Sequence, residues 1–181
     1  MSTERFIADL IAHTARLAVG TSAARGKGNA GAVPAARQFF VAIELRRLAG
    51  CDSRTFRGFL DDQTALLLDA LPSGARKWGL ARKLVNIYLR DATYSRHLCE
   101  HFRGLSSIEP LLELPLDYYT ARGLLSENSG LPKWVAVKAL RPEQSDAYQE
   151  VAAQIASSRG IARVHLDAAW WGNRDDKSAA S

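Results

Sequence analysis

Apolar residues recur at helical spacing along almost the whole chain, and this periodicity limits the fold more than any other feature. No run of alternating apolar and polar residues is long enough to force a strand. The sequence therefore predicts an all-α fold. We expect one helical domain over residues 1–173 and a disordered polar tail over 174–181. The predicted helices span residues 4–18, 35–48, 63–71, 80–92, 94–102 and 142–157, with a short helical element at 52–59 and a last apolar element at 161–171.

The composition is that of an ordinary globular protein, with 47% hydrophobic and 24% charged residues among 181. No apolar run approaches the length of a membrane span, and the first ten residues carry acids rather than the basic start of a secretory signal. We therefore expect a cytoplasmic protein. Cys51 and Cys99 are too few for a four-cysteine iron–sulfur cluster. His97 and His101 have ligand spacing but no clear third ligand, so we expect neither a metal site nor another cofactor.

The net charge of +5 is distributed unevenly along the chain. Residues 25–103 carry 14 Lys and Arg against 7 Asp and Glu, whereas the remainder is slightly acidic. Such a balance suits a surface that follows a phosphate backbone, and it equally suits an arginine-rich solvated surface without a partner. A glycine-rich loop with Arg25 and Lys27 lies in the basic part. This loop either contacts backbone phosphates or merely connects two helices.

Lys83 is the strongest candidate for a reactive side chain. The helical pattern from Leu80 to Ala92 predicts that Lys83 lies in the first turn of a helix and faces away from the core. The unpaired N–H groups and the dipole of a helix start favour a phosphate, and an amine in that field should lose its proton more easily.

Asp117 is a second candidate for a reactive side chain. Pro115 disfavours helix at Leu114 and places Asp117 at or near the N-cap of the next helix. A capping aspartate needs no catalytic role, although a cap also holds a carboxylate where positive charge can develop. Glu113 is a weaker candidate for the same task.

Three short patterns occur in order along residues 71–123. Leu71-Pro72-x-Gly74 is followed by Gly79-x-x-Arg82-Lys83-x-x-Asn86, and then by Pro115-Leu116-Asp117. Together they resemble the helix-hairpin-helix DNA glycosylases, the superfamily of endonuclease III and the archaeal 8-oxoguanine glycosylases. The sequence departs from the pattern at Ala81, where a second glycine is usual, and at Tyr118, where endonuclease III carries a histidine.

The resemblance implies a helical domain with a cleft between two halves and a monomer that acts on double-stranded DNA without an iron–sulfur cluster. Lys83 would attack the sugar C1′ and Asp117 would assist, which makes the protein a DNA glycosylase with AP lyase activity. Phosphate contacts near the hairpin are expected from Arg76, Lys77, Arg82 and Asn86. The candidates for the base pocket are Trp78, Tyr118, Trp134, His165 and Trp170. Helix packing is the alternative role for Trp78 and Trp170.

Two other functions fit the sequence. In the first, the protein is a non-catalytic helix-hairpin-helix DNA-binding module, in which Lys83 neutralises phosphate and Asp117 only caps a helix. In the second, it is a helical interaction protein that does not bind nucleic acid. The sequence does not identify the excised base, and it does not separate repair of damage from removal of modified bases in foreign DNA.

Overall fold

A computed structural model describes residues 2–20 and 31–171, and all regular structure in these two segments is helical. The prediction of an all-α fold is thus confirmed for the described part. The α-helices are α1 Thr3–Ala18, α2 Ala32–Val41, α3 Ser53–Ala70, α4 Trp78–Tyr94, α5 Arg96–His101, α6 Tyr118–Glu127, α7 Pro142–Ser158 and α8 Leu166–Trp171. Short 3-10 helices occur at Leu45–Leu48, Ser73–Ala75, Leu105–Leu111, Val137–Ala139 and Arg163–His165. None of the helices described is long and apolar enough to cross a membrane. The predicted tail at 174–181 lies outside the described residues.

Helix α3 is longer than the sequence pattern indicated. Two elements, at 52–59 and 63–71, were predicted where a single helix runs from the N-cap Asp52 to Ala70. The polar residues Gln63 and Thr64 interrupt the apolar pattern, but both lie on the buried face of the helix. Thr64 satisfies its hydroxyl by donating to the carbonyl of Leu60 at 2.7 Å, so it can be buried without breaking the helix. Helix α2 ends earlier than predicted. The sequence pattern indicated a helix to residue 48, but α2 ends at Val41 and only a 3-10 helix follows.

The helices surround two hydrophobic cores. The first is formed by α1 to α5 with the 105–111 turn, and its largest buried side chains include Phe40, Leu60 and Tyr88. The second is formed by α6, α7, the start of α8 and the segment around Leu140, and Tyr148 lies at its centre. Helix α4 packs in the first core along most of its length, while its first residue, Trp78, packs against the second core. Helix α4 therefore lies at the boundary between the two cores.

The start of α4 is held against the Val137–Ala139 turn by a close backbone approach. A Cβ atom on Gly79 would lie 2.2 Å from the carbonyl oxygen of Val137 and 2.7 Å from Cβ of Leu140. Only glycine fits this contact without a shift of the backbone. Because the helix begins at Trp78, Lys83 lies in its second turn, and the prediction of a first-turn position was wrong. The unpaired N–H groups of the helix start are thus one turn away from Lys83.

Candidate active site

Lys83 and Asp117 meet at the boundary between the two cores. The Nζ atom of Lys83 donates to Oδ2 of Asp117 at 3.1 Å, and their side chains are only 11% and 9% exposed. Lys83 comes from α4, and Asp117 precedes α6, 34 residues later. The structure therefore brings together the two residues that the sequence pattern selected.

Asp117 is also the N-cap of α6, as its position after Pro115 predicted. Its Oδ1 accepts from the backbone N–H groups of Tyr119 at 2.8 Å and Thr120 at 3.2 Å. The hydroxyl of Thr120 accepts from the backbone N–H of Asp117 at 2.8 Å, which completes a capping box. The cap fixes the carboxylate through Oδ1 and leaves Oδ2 directed at Lys83. The capping role and a chemical role are thus compatible.

Arg90 and Asp167 form a second charged pair on the same face of α4, two turns beyond Lys83. Arg90 also contacts Asp91 at 2.9 Å. Burial raises the pKa of Asp167 to about 6 and outweighs the attraction of Arg90, while the negative charge of Asp117 adds to the rise. Asp167 therefore belongs to the electrostatic surroundings of the Lys83–Asp117 pair. The sequence offered two signals for it: the spacing of seven residues from Lys83 to Arg90, and a carboxylate inside an otherwise apolar element.

Arg82 and Asn86 do not have the role that the sequence suggested. Both are buried, at 2% and 1% exposure, and both bind Glu113. The guanidinium of Arg82 holds the two carboxylate oxygens of Glu113 at 2.8 Å each and reaches Asp61 at 2.6 Å. We therefore correct the expected phosphate contacts of Arg82 and Asn86, because their polar atoms face the protein interior.

Glu113 is consequently not free to substitute for Asp117. Burial alone would raise the pKa of Glu113, but the hydrogen bonds and the charge of Arg82 outweigh it and hold the pKa below its ordinary value. The result is a buried, charged and bidentate pair that ties α4 to the segment before α6. Within the described part of the chain, removing Arg82 would leave the buried Glu113 with only Asn86 at 3.1 Å and Arg57 at 3.6 Å. Removing Glu113 would leave the buried Arg82 with Asp61 as its one carboxylate partner among the described residues.

The remaining predicted phosphate contacts lie at the surface or outside the described residues. Arg76 and Lys77 are exposed in the connection between α3 and α4. Arg76 donates to the carbonyl oxygens of Leu71 at 2.9 Å and Asp69 at 3.0 Å, which satisfies carbonyls at the end of α3. Arg25 and Lys27 lie outside the described residues. Phosphate binding by these four residues stays a prediction.

Four of the five base-pocket candidates are half-buried and already engaged within the fold. Trp78, Trp134 and Trp170 pack against the second core, which agrees with the packing alternative for Trp78 and Trp170. Trp170 covers Gly123 so closely that a Cβ atom there would lie 2.3 Å from the indole. His165 is hydrogen-bonded between the hydroxyl of Tyr94 at 2.8 Å and the carboxylate of Glu109 at 2.9 Å.

Tyr118 is the candidate that remains accessible. It is 53% exposed, directly follows Asp117, and stands edge to face with Tyr119 at 5.4 Å between ring centroids. Its hydroxyl accepts from Arg122 at 3.0 Å, and the Arg122 guanidinium lies over its ring. An exposed aromatic ring beside the Lys83–Asp117 pair offers a surface on which a base can stack.

A groove of about 760 Å³ lies elsewhere, between α3, the 105–111 turn and the end of α7. Its lining includes Glu113 but neither Lys83 nor Asp117. Among the described side chains, no group of three His, Cys, Asp or Glu is placed to hold a metal ion.

Comparison of the chain with models of known protein families, with curated proteins and with solved structures gave no match. The chemistry of the side chains is thus the ground on which a function can be inferred.

Proposed function

We propose that this protein is a DNA glycosylase with AP lyase activity that removes a damaged or modified base through a lysine Schiff base. The observation that carries the proposal is the 3.1 Å contact between the amine of Lys83 and the carboxylate of Asp117. A lysine can act as a nucleophile only after it loses a proton, and a carboxylate within hydrogen-bond distance can accept that proton.

In the proposed reaction the neutral amine of Lys83 attacks C1′ of the target nucleotide. The new bond from Nζ to C1′ replaces the glycosidic bond, whose electron pair leaves with the base, and the base takes up a proton. The bond from C1′ to O4′ then opens, and the proton that Asp117 took from Lys83 passes to O4′, which yields a protonated Schiff base and a hydroxyl at C4′. Loss of a C2′ proton expels the 3′ phosphate and cleaves the strand. Asp117 accepts the proton of Lys83 and stabilises the positive charge that develops on the sugar.

The low exposure of the pair favours a substrate that is extruded from the double helix. A nucleotide inside a duplex could not reach side chains that are 11% and 9% exposed. We place the entry at the boundary between the two cores, which would serve as the cleft, with Tyr118 as a stacking surface for the flipped base. The unit of α3, its connection and α4 would act as the helix-hairpin-helix, and Arg76 and Lys77 would contact the phosphates.

Trapping with borohydride tests the proposal directly. The protein is incubated with duplexes that contain an abasic site or one of a panel of modified bases, and borohydride then reduces any Schiff base to a stable covalent adduct. We expect an adduct with the parent protein and none with Lys83→Gln, although Lys83→Gln should still bind duplex DNA. Lys177→Gln is the matched control, because it removes a different lysine amine and should leave the adduct unchanged. An adduct that persists in Lys83→Gln would refute the assignment of the nucleophile.

Two substitutions of Asp117 separate its chemical role from its capping role. Asparagine caps a helix as well as aspartate does, so Asp117→Asn keeps the cap and loses the charge that faces Lys83, and it should slow adduct formation by about a hundredfold or more. Asp117→Ala should slow the reaction similarly and also cost about 1 kcal/mol of stability, since the cap is lost. Unchanged adduct formation in Asp117→Asn would leave the residue with capping alone.

The alternative is a DNA-binding module without catalysis, and the complete capping box at Asp117 favours it, because a cap accounts for the carboxylate without any reaction. In that case Lys83 is only the ion-pair partner of the cap. No duplex would then give an adduct, abasic DNA included, while binding would still weaken with salt. A helical interaction protein that does not bind nucleic acid would show no salt-sensitive affinity for duplex DNA at all.

A further inference from the structure

We propose that the segment 131–141 forms, together with the connection between α3 and α4, a continuous surface that binds the phosphate backbone of duplex DNA. This inference rests on the proposed function for the nature of the partner. The basic surface consists of Arg76, Lys77, Lys133, Lys138 and Arg141. Sequence reasoning assigned phosphate contacts only to the first two, since the other three belong to the part of the chain that is acidic on average.

Both segments lack acidic residues. Residues 70–90 contain no Asp or Glu, and neither do residues 128–142. A stretch of about forty residues that includes several Asp and Glu lies between the two segments. The order of the chain therefore does not mark them as related. Each is a short basic stretch that would be unremarkable by itself.

The fold places the two segments against each other. The backbone of Gly79 approaches the carbonyl of Val137 so closely that a Cβ atom would be 2.2 Å from the oxygen, and it also meets the side chain of Leu140. Lys77 is two residues from Gly79, while Lys138 and Arg141 directly follow Val137 and Leu140. Since successive Cα atoms are about 3.8 Å apart, the backbones that carry these three cations lie within roughly 17 Å of one another.

The segment 131–141 is anchored by contacts that leave its cations at the surface. Tyr148 donates to the carbonyl of Pro132 at 2.7 Å, Gln144 donates to that of Lys133 at 3.1 Å, and Leu140 is buried in the second core. All five cations of the basic surface are exposed. None of them forms an ion pair with a carboxylate in the described part of the chain.

Three cations of α4 are already neutralised. Arg82, Lys83 and Arg90 each contact a carboxylate. The basic surface therefore offers an extended polyanion unpaired positive charge beside the start of the helix that carries Lys83. A phosphate backbone carries regularly spaced negative charges that exposed, unpaired cations can neutralise, with release of counterions.

The salt dependence of DNA binding tests the inference. The affinity of a fluorescent duplex is measured by anisotropy between about 50 and 200 mM salt for the parent and for the triple variant Lys133→Gln, Lys138→Gln, Arg141→Gln. If each cation contacts one phosphate, the slope of log K against log salt should fall by nearly 3, so the parent should lose about fortyfold more affinity over this range than the variant. The control is Arg46→Gln, Arg54→Gln, Arg103→Gln, which removes the same charge from exposed positions near the opposite end of α3 and should leave the slope close to that of the parent.

Each outcome decides the inference separately from the proposed activity. A reduced slope in the triple variant, with an unchanged control, supports the basic surface even if borohydride traps no adduct. An adduct together with equal slopes in the two triple variants overturns the surface and leaves the glycosylase proposal standing. If the parent does not bind DNA, the proposal that this surface contacts DNA is refuted. The same holds if the parent binds anionic vesicles in a salt-sensitive way instead of DNA.

Discussion

The two oxygens of the Asp117 carboxylate illustrate what local sequence can and cannot specify at a single residue. Its capping contact with Thr120 spans three residues and follows from the proline before it and the helical pattern after it. Its contact with Lys83 spans 34 residues and could be expected only through the resemblance to a known family. The same carboxylate therefore has one predictable role and one that depends on the fold.

Arg82 shows why a residue next to Lys83 was misassigned. Consecutive residues on an α-helix point about 100° apart, so Lys83 faces Asp117 while Arg82 faces Glu113. A basic pair in the sequence does not reveal which member meets solvent. The bidentate carboxylate that accounts for Arg82 lies 31 residues away.

Asp167 should make the stability of the protein depend on pH. Because its pKa is raised to about 6, the folded state binds this proton more tightly than the unfolded chain, whose aspartates titrate near 4. Its contribution to stability is therefore lost as the pH rises from about 4 through 6. Asp167→Asn does not titrate, so its stability relative to the parent should increase by about 2 kcal/mol between about pH 4 and pH 7.

Urea unfolding across this pH range measures the difference. The exposed substitution Asp62→Asn controls for the loss of one negative charge. A constant difference between Asp167→Asn and the parent would show that Asp167 titrates alike in the folded and unfolded states.

At the scale of elements, the start of α4 depends on a glycine that the helix itself does not require. Gly79→Ala should destabilise the protein by about 1–3 kcal/mol, because the new methyl group meets a backbone carbonyl that cannot move independently of the 137–139 turn. Gly58→Ala is the matched control, since Gly58 lies inside α3 with nothing within 4 Å of a new Cβ atom. It should stabilise the protein by about 0.5–1 kcal/mol.

Thermal or urea unfolding of the two variants gives both values. Stabilisation by Gly79→Ala would mean that the start of α4 and the turn are not in contact in solution. The position of the basic surface would then lose its support as well.

Element boundaries followed the sequence where caps and apolar stripes agreed. Helix α7 begins at Pro142 and ends before Gly160, as the punctuation of the chain predicted. Helix α3 did not follow, because Gln63 and Thr64 look like a break in the apolar pattern but lie on the buried face, where Arg82 of α4 donates to the Thr64 hydroxyl at 3.2 Å.

At the scale of the whole molecule, the two cores should unfold together. Polar side chains connect them: Lys83 of α4 reaches Asp117 at the start of α6 at 3.1 Å, and Arg57 of α3 reaches Asp146 of α7 at 3.0 Å. Trp78, Trp134 and Trp170 pack against the second core, so tryptophan fluorescence reports mainly on that half. Circular dichroism reports on all helices, most of which belong to the first half.

We expect the two signals to give coincident unfolding curves in urea, as for a single cooperative unit. Fluorescence that changes at a lower urea concentration than circular dichroism would show that the second half unfolds independently.

The amino-acid sequence by itself determined the helical class, most helix positions, the cap at Asp117 and the residues worth testing. These properties depend on neighbours within about one helical turn, and periodicity and caps record such neighbours directly. The tertiary structure decided which charges are neutralised inside, which remain at the surface, and that residues 131–141 lie beside the start of α4. The partner of each charge is set by packing between distant segments, and no local pattern in one segment encodes the position of the other.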